Sequence, residues 1–303
     1  MARLLLKALV FALPIVTLFG VAEHKLESMP TGYSTLRGRA DQHIGPARVI
    51  VTGSSHAYYG IKPQILGSQT FSLAYISQDI YYDTRLVLKY LSETRDLSLV
   101  IVPISYISFG NSLDDSIEAW RTPYYYHFFR IPHQSGWPQV EDYSLIALYG
   151  IPQVRAFAWN GFAPDTSTHL GEFGGSADIF ISRPDAVRDA GATLARHRAA
   201  YRPVHVEQND GYLRQLFSAL QSRGIAAVIT TTPCFRSYSD HMEPDLYAIM
   251  QNHIRRLLDD YGLEYFNYLT DARFTIEDFM DSDHLSTQGA IKFSEILKAE
   301  VVR

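Results

Sequence analysis

Five runs of apolar and β-branched residues are spaced along the chain. They cover residues 48–52, 70–74, 97–104, 225–232 and 263–269. Runs that are apolar at successive positions are typical of strands buried on both faces of a parallel sheet, whereas half-exposed strands alternate. The pattern therefore predicts five strands in one parallel sheet.

Helical periodicity appears between and after these runs. Apolar residues recur with a 3.6-residue period over residues 80–95, 210–223 and 246–261, and the last two segments end at Gly224 and Gly262 directly before a strand. Glycine is favoured after a helix because it readily adopts the left-handed conformation. The alternation of strand and helix predicts a single doubly wound, flavodoxin-like α/β domain, in which ligands bind at the carboxyl ends of the strands.

The first residues have a different pattern. Arg3 and Lys7 precede an uncharged apolar stretch over residues 8–22. Its length is typical of a signal peptide and short for a membrane span, which needs about 20 apolar residues. We expect residues 1–24 to be a signal peptide or a membrane anchor. Basic residues also follow the stretch, so its orientation and its cleavage stay open.

The rest of the chain divides by composition. Residues 25–46 are polar, with prolines and glycines, and we expect them to form a linker. Residues 47–303 then form the α/β domain. Within it, residues 109–202 are rich in aromatic residues, glycine and proline, and we interpret them as an insertion near the active-site rim. In its segment 120–130 we favour packing over a platform for sugar rings.

Composition excludes several functions. The 303 residues are 47% hydrophobic and 19% charged, as in a globular protein. The formal net charge is −5 and no long basic run occurs, so nucleic acid is not an expected partner. The single cysteine, Cys234, excludes an internal disulfide and a cysteine-based zinc site. We expect neither a metal nor a cofactor.

The first predicted strand ends in Gly53-Ser54-Ser55-His56-Ala57. A glycine before small hydroxyl residues permits a sharp turn that presents a nucleophile, and the amides that follow can face a developing oxyanion. The run differs at one position from the Gly-x-Ser-x-Gly elbow of esterases, because Ala57 stands where that motif has its second glycine. Serine-rich turns are common, so this run alone is a weak signal. We expect His56 to support or pack against the site, because consecutive side chains rarely face one another.

A second motif, Asp281-Ser282-Asp283-His284, precedes the last predicted helix. A serine nucleophile needs a base, and the base needs an acid that fixes its tautomer. An Asp and a His three residues apart in one loop can meet both needs. The alternative is that both aspartates belong to a solvated acidic loop and His284 to the surface. We expect His197, between two arginines, to lie on a solvated basic face.

Together the two motifs resemble the SGNH (GDSL-like) hydrolase superfamily, over roughly residue 48 to the C-terminus apart from the insertion. Its Gly-Asp-Ser block is matched by Gly53-Ser54-Ser55 and its Asp-x-x-His block by the second motif. The resemblance implies the SGNH hydrolase fold, with a triad of Ser55, Asp281 and His284. Ser54 replaces the family's aspartate and is a second candidate nucleophile.

The middle blocks of the family are altered. Where a glycine amide should face the oxyanion, the segment 71–78 has no glycine, and an amide of Ser77 or Gln78 is expected to serve. Where the family has Gly-x-Asn-Asp, this chain offers Ser105 as a donor, with Asn111 as another candidate. Loss of one oxyanion donor lowers rates about a hundred- to a thousandfold. Generic esters are therefore expected to be poor substrates.

The continuation over residues 59–63 after Gly-Ser-Ser-His resembles export-side SGNH-like proteins linked to cell-surface polysaccharides. This resemblance implies acyl transfer, O-acetylation above all, to a cell-surface or exported polysaccharide by a periplasmic catalytic domain. The implied partners are the polysaccharide, an acyl donor and a membrane-bound acyltransferase. Two alternatives remain open: an exported carbohydrate esterase or deacetylase with the same triad, and a non-catalytic scaffold of an acyltransferase complex.

Overall fold

The computed structural model describes residues 1–134, 136–162 and 169–302. The chain folds as two compact units. The smaller unit consists of residues 1–35 and 121–168, and the larger unit consists of residues 36–120 and 169–303. The aromatic-rich segment 109–202 was expected to be one insertion, but the structure divides it between the two units.

All five predicted strands are present in the larger unit and form one parallel sheet. The sheet has the order β2-β1-β3-β4-β5. Ile50 of β1 lies opposite Phe71 of β2 on one side and Val100 of β3 on the other. The strands are β1 (Val49–Val51), β2 (Thr70–Ser72), β3 (Leu99–Pro103), β4 (Ala226–Thr231) and β5 (Glu264–Asn267). The doubly wound α/β fold class is confirmed.

The predicted helices are present with small shifts of their ends. The α-helices are α1 (Ala2–Glu27), α2 (Gly32–His43), α3 (Ser55–Gly60), α4 (Pro63–Leu66), α5 (Ile80–Tyr90), α6 (Thr122–Tyr124), α7 (Leu145–Trp159), α8 (Pro184–Arg188), α9 (Gly191–Ala200), α10 (Val206–Gln221), α11 (Arg236–Ser239), α12 (Pro244–Tyr261) and α13 (Thr287–Glu300). The three helices predicted from periodicity are α5, α10 and α12. Gly262 follows α12 with φ 65°, the left-handed conformation expected there.

Residues 25–46 are helical rather than a linker. They contain the end of α1 and all of α2. Leu36, Ala40 and Ile44 are buried, one helical turn apart on one face. The prediction was wrong because polar residues and glycines dominate this segment, while its few apolar residues are spaced for one narrow buried face.

In the smaller unit, Leu26 and Met29 of the α1 region pack against Leu145 and Ile146 at the start of α7. The sequence expectation of packing for the aromatic segment is confirmed at several rings: Tyr124, Tyr125 and Phe129 are buried. Tyr33 stacks on Tyr124 with ring centroids 5.0 Å apart.

Helix α1 contains one stretch, Leu9–Glu27, that is long and apolar enough to cross a membrane, with a mean hydropathy of 1.6. Most of its apolar side chains are exposed, Phe11 and Leu18 among them. A buried core helix would not leave such residues in water. The helix therefore fits a membrane anchor or a signal sequence, as the sequence predicts.

Candidate active site

The predicted nucleophile turn follows β1. Gly53 has φ 121°, which L side chains rarely adopt, and a Cβ placed there would lie 3.0 Å from that of Ala57. Ser54 is extended and precedes α3, so Ser55 is the first residue of that helix. Amides in the first turn of a helix have no acceptor within the helix. The turn thus combines a half-buried hydroxyl with a backbone donor beside it.

Ser55 and His284 meet across the fold. Ser55 Oγ lies 2.8 Å from His284 Nε2. On the other side of the ring, Asp281 Oδ1 and Oδ2 lie 3.1 and 3.2 Å from His284 Nδ1. A carboxylate beside Nδ1 favours the tautomer protonated there, which leaves Nε2 free to accept a proton from serine. The structure therefore brings the three predicted triad residues together; their catalytic role stays a prediction.

The Asp281 carboxylate also shapes the loop that holds the base. Its Oδ1 accepts hydrogen bonds from the amides of His284, at 2.8 Å, and Asp283, at 3.2 Å. Directly after this loop, Ser286 caps α13 by accepting from the amide of Gly289 at 3.2 Å. The Asp-x-x-His spacing thus closes a turn and orients the imidazole with one side chain.

Ser54, the second candidate nucleophile, has a different partner. Its Oγ lies 3.4 Å from His56 Nδ1. The ring of His56 stacks on that of His284, with centroids 4.9 Å apart and planes 20° from parallel. His56 also has a carboxylate at its far nitrogen, that of Asp283. The geometry still favours Ser55 over Ser54 as the nucleophile, because Ser55 Oγ lies 2.8 Å from its histidine and Ser54 Oγ lies 3.4 Å from its own.

A second histidine–carboxylate group lies against the base. Asp283 Oδ2 is 3.2 Å from His56 Nε2 and 3.9 Å from His197 Nε2. Asp283 is only 1% exposed, so it is not part of a solvated loop. His197 is also mostly buried, and its Nδ1 lies 2.6 Å from the Tyr238 hydroxyl. The expectation of a solvated basic face was wrong for His197, because burial depends on contacts distant in sequence. His56 supports the site as expected.

These contacts change the proton affinities of the site. Burial acts to lower the pKa of His284, but the charge of Asp283 and the hydrogen bond to Asp281 outweigh it, so the pKa of His284 is raised. For Asp283, burial acts to raise the pKa, but His284, His56 and His197 hold it well below its usual range. Burial lowers the pKa of His197 to about 4 despite the nearby Asp283. Asp283 is therefore ionised at neutral pH, whereas His197 is neutral.

A buried carboxylate, that of Asp83, accepts hydrogen bonds from the nucleophile turn. Asp83 Oδ1 accepts from Thr52 Oγ1 at 2.6 Å, from the Gly53 amide at 2.8 Å and from Gln78 Nε2 at 2.6 Å. Burial raises the pKa of Asp83 to about 6, although these three donors act to lower it. Sequence reasoning missed this residue, which lies in the first turn of an otherwise ordinary helix.

Two expected oxyanion donors lie in loops after β2 and β3. Ser77 has φ 60°, a conformation that favours glycine. Its loop contacts the nucleophile turn: the Tyr75 amide donates to the Gly53 carbonyl at 3.1 Å. Ser105 lines a small cavity with His56. The Ser105 amide donates to Ser108 Oγ at 2.9 Å, and Ser105 Oγ also lies 2.9 Å from Ser108 Oγ. If Ser108 donates in the second contact, the Ser105 hydroxyl can donate to an oxyanion. Their role as oxyanion donors stays a prediction.

One group of side chains at the site has the spacing of metal ligands. His56, Asp283 and His284 each offer a ligand atom, all within 4.8 Å of one another. Both ring nitrogens of His284 already have partners, Ser55 at Nε2 and Asp281 at Nδ1. A metal would displace one of these contacts, so the arrangement fits acid–base chemistry better than metal binding.

Comparisons with known proteins give distant likenesses. No family model matches the chain, and no curated protein matches it by sequence. Among solved structures, it is similar to a proposed acylhydrolase of Bacteroides fragilis (TM-score 0.42, 9% identity, 88% of this chain and 92% of the other). It is also similar to a GDSL-like lipase of Bacteroides thetaiotaomicron (TM-score 0.42, 8% identity, 89% and 98%).

These likenesses are too distant to show which family the chain belongs to. The comparison therefore rests on the geometry of the chain itself. Ser55 follows the first strand of a parallel sheet, while Asp281 and His284 follow the last strand and precede the final helix. In fold class, and in the elements that carry these three residues, the chain resembles the SGNH/GDSL-like hydrolases.

Proposed function

We propose that this chain is a serine-dependent acyl-ester enzyme that transfers an acyl group to a hydroxyl of a polysaccharide outside the cytoplasm. The observation that carries the proposal is the contact of Ser55 Oγ with His284 Nε2 at 2.8 Å, with Asp281 at the opposite ring nitrogen. This arrangement can remove the proton from serine as serine attacks a carbonyl.

The reaction proceeds in two halves. Ser55 Oγ attacks the donor ester carbonyl while His284 Nε2 takes the serine proton. The resulting oxyanion is stabilised by the Ser55 and Ser77 amides and the Ser105 hydroxyl. The tetrahedral intermediate collapses, His284 gives the proton to the leaving alkoxide, and an acyl-serine forms. A sugar hydroxyl then loses its proton to His284 and attacks the acyl-serine carbonyl. As the acyl–serine bond breaks, His284 returns the proton to Ser55 Oγ, which yields the new ester and the free serine.

Two features support the acceptor and the compartment. The residues from Gly53 to Pro63 resemble export-side proteins linked to polysaccharide acylation, for which acetyl is the expected group. Helix α1 has the length and apolar character of a membrane anchor or signal sequence. Together they support an exported glycan as the acceptor, with a membrane-bound acyltransferase as the expected source of acyl groups.

The first test is covalent labelling of the purified full-length protein with a fluorophosphonate probe, followed by mapping of the modified peptide. We expect label on Ser55 that is lost in His284→Ala and kept in Ser54→Ala, the matched control. Label on Ser54 would contradict the assignment of Ser55 and make Ser54 the nucleophile. No label on either serine in folded protein would contradict the triad and favour the scaffold.

The second test separates transfer from hydrolysis. An aryl acetate donor is offered with and without acetylatable oligosaccharides, and both acetate and acetylated sugar are quantified. Transfer predicts acetyl-sugar at the expense of acetate, with both products absent in Ser55→Ala. Release of acetate at the same rate whatever sugar is added would favour the esterase instead.

A further inference from the structure

The smaller unit exposes large apolar side chains outside α1. Among its described residues these are Trp137, Val140, Tyr143, Ile151 and Trp159. Trp159, the last residue of α7, is 92% exposed, and Ile151 of the same helix is 55% exposed. Ile151 and Trp159 are eight residues apart, roughly two helical turns, and so lie on a similar side of α7. Exposed apolar side chains on one side of a helix mark a candidate interaction surface.

Helix α7 is joined to α1 by polar contacts at its start. The Glu23 carboxylate accepts from the amides of Leu145, at 3.0 Å, and Ile146, at 3.3 Å, and from the Ser144 hydroxyl. A carboxylate is stabilised at a helix N-terminus by the unpaired amides and by the helix dipole. The contacts fix the first turn of α7 beside Glu23.

Apolar packing extends the same contact. Leu26 of α1 is buried against Leu145 and Ile146, and Ala22 and Phe157 pack at the edge of this cluster. Ala22 and Leu26 are one helical turn apart, roughly 6 Å along α1 at a rise of 1.5 Å per residue. Helix α7 bends at Gly150, where φ is 72°. Phe157, beyond the bend, packs against the same cluster, so both parts of α7 contact the cluster that the end of α1 helps to form.

These contacts lie inside the stretch of α1 that can cross a membrane, Leu9–Glu27. Ala22, Glu23 and Leu26 are at the end of this stretch. If the stretch enters a bilayer, a helix held against these residues therefore lies at the bilayer boundary. Glu23 would be unfavourable there without partners, and the first turn of α7 supplies them. A membrane boundary at this point would thus explain both the position of α7 and the hydrogen bonds that Glu23 accepts from it.

We infer that α7 is a second membrane contact of this protein, lying on a phospholipid bilayer beside α1 with Ile151 and Trp159 turned toward lipid. Arg155 is the one charged residue within the α7 sequence, LIALYGIPQVRAFAW. Tryptophan and arginine are typical of the boundary between lipid and water, where the ring lies among headgroups and the guanidinium reaches phosphate. The inference rests on α1 entering a membrane, which is part of the proposed localisation, and is independent of acyl transfer.

The test measures lipid contact of single tryptophans in the full-length chain. The protein is reconstituted in phosphatidylcholine–phosphatidylglycerol vesicles, with and without bromine on the acyl chains as a quencher. One variant keeps Trp159 alone (Trp120→Phe with Trp137→Phe). A second has all three tryptophans replaced by phenylalanine and carries Phe11→Trp, which reports on α1.

We expect both single tryptophans to lose most of their emission in brominated vesicles and to keep it in unbrominated ones. Loss at position 11 with unchanged emission from Trp159 would overturn the inference, because α1 would be inserted without α7. Unchanged emission at both positions would overturn it too, because α1 would then not enter the bilayer. Protection of Trp159 from aqueous acrylamide without bromine quenching would point to a protein partner or a second copy, and would also contradict it.

Fluorophosphonate labelling of Ser55 in the same variants is the control for folding. It also separates the two proposals, since labelling reports on the triad and quenching reports on α7. A protein that labels but is not quenched would contradict only the membrane contact.

Discussion

Asp283 Oδ1 lies 3.6 Å from His284 Nδ1, the ring nitrogen that Asp281 Oδ1 contacts at 3.1 Å. His284, the proposed base, therefore faces two carboxylates. Asp281 has the shorter contact and closes the turn that holds the imidazole, whereas Asp283 is buried and also contacts His56. The geometry assigns orientation of the base mainly to Asp281 and electrostatic stabilisation mainly to Asp283.

The pH dependence of the reaction follows from the state of His284. Only the neutral imidazole accepts the serine proton, and the pKa of His284 is raised above its ordinary value of 6.5 because Asp283 and Asp281 outweigh burial. We expect the rate of Ser55 labelling to rise with pH through an apparent pKa above 6.5. A rate profile whose acidic limb lies below that value would contradict this electrostatic account.

Replacement of the two aspartates should separate their roles. Asp283→Asn removes a negative charge near His284, so the pKa of His284 falls and the acidic limb moves to lower pH, while the plateau rate changes by less than about tenfold. Asp281→Asn should lower the plateau about a thousandfold or more, because the tautomer is no longer fixed. Labelling rates measured across pH for both variants test this, and identical profiles would refute the division.

Asp83 should matter for stability as well as for the turn. Asp83→Ala removes the acceptor of the Gly53 amide and of the Thr52 hydroxyl. It also removes one acceptor of Gln78 Nε2, which keeps the Leu73 carbonyl at 3.1 Å. We expect the free energy of unfolding to fall by about 3 kcal/mol, since each unsatisfied buried group costs about 1–3 kcal/mol and relaxation recovers part of it. Urea denaturation measures the loss, and Asp83→Asn, which keeps an acceptor oxygen, is the matched control.

The same carboxyl predicts a pH effect on stability. The folded pKa of Asp83, about 6, lies above its ordinary value of 3.8 because the carboxyl is buried. Between these values the unfolded chain ionises Asp83 while the folded protein keeps it protonated, so this contribution to stability is lost as pH rises from about 4 to 6. Wild type should therefore lose stability relative to Asp83→Asn over that interval. Parallel stability curves would show that Asp83 is already ionised in the fold.

Ser77→Gly should be stabilising. The φ of 60° at Ser77 is unfavourable for a side chain by roughly 1–2 kcal/mol, and glycine removes that strain at an entropic cost of about 0.5–1 kcal/mol. We expect a gain of up to about 1 kcal/mol with Ser55 labelling retained, because the backbone amide is the proposed donor. Thermal unfolding and labelling of one sample check both parts. Loss of labelling would instead assign the donor role to the Ser77 hydroxyl.

The sequence predicts the sheet well, and it predicts which residues meet at its edge, because both depend on local patterns. Each strand is a continuous apolar run, and Asp281 and His284 share one loop whose spacing closes a turn. Ser55 and that loop both follow the carboxyl ends of strands. Because parallel strands end at the same edge of the sheet, the two are expected to lie close together.

Features that depend on contacts between residues distant in sequence could not be predicted from local patterns. In the sequence, Asp283 and His197 stand near other charged residues, as surface residues often do. In the fold the two side chains lie 3.9 Å apart and are both largely buried. Residues 25–46 look like a linker because few of their side chains are apolar, although those few share one buried face. Likewise, nothing in the sequence of α7 indicates that Glu23 caps it.

Ser55 and His284 are 229 positions apart in sequence, and the strands between them must all take their places before the two side chains meet. A contact of such long range forms late in folding, because the intervening chain must be ordered first. An unfolded or partly synthesised chain therefore carries an ordinary, unreactive serine. In a protein that crosses a membrane before it folds, this late assembly would keep the nucleophile inert until the chain reaches its destination.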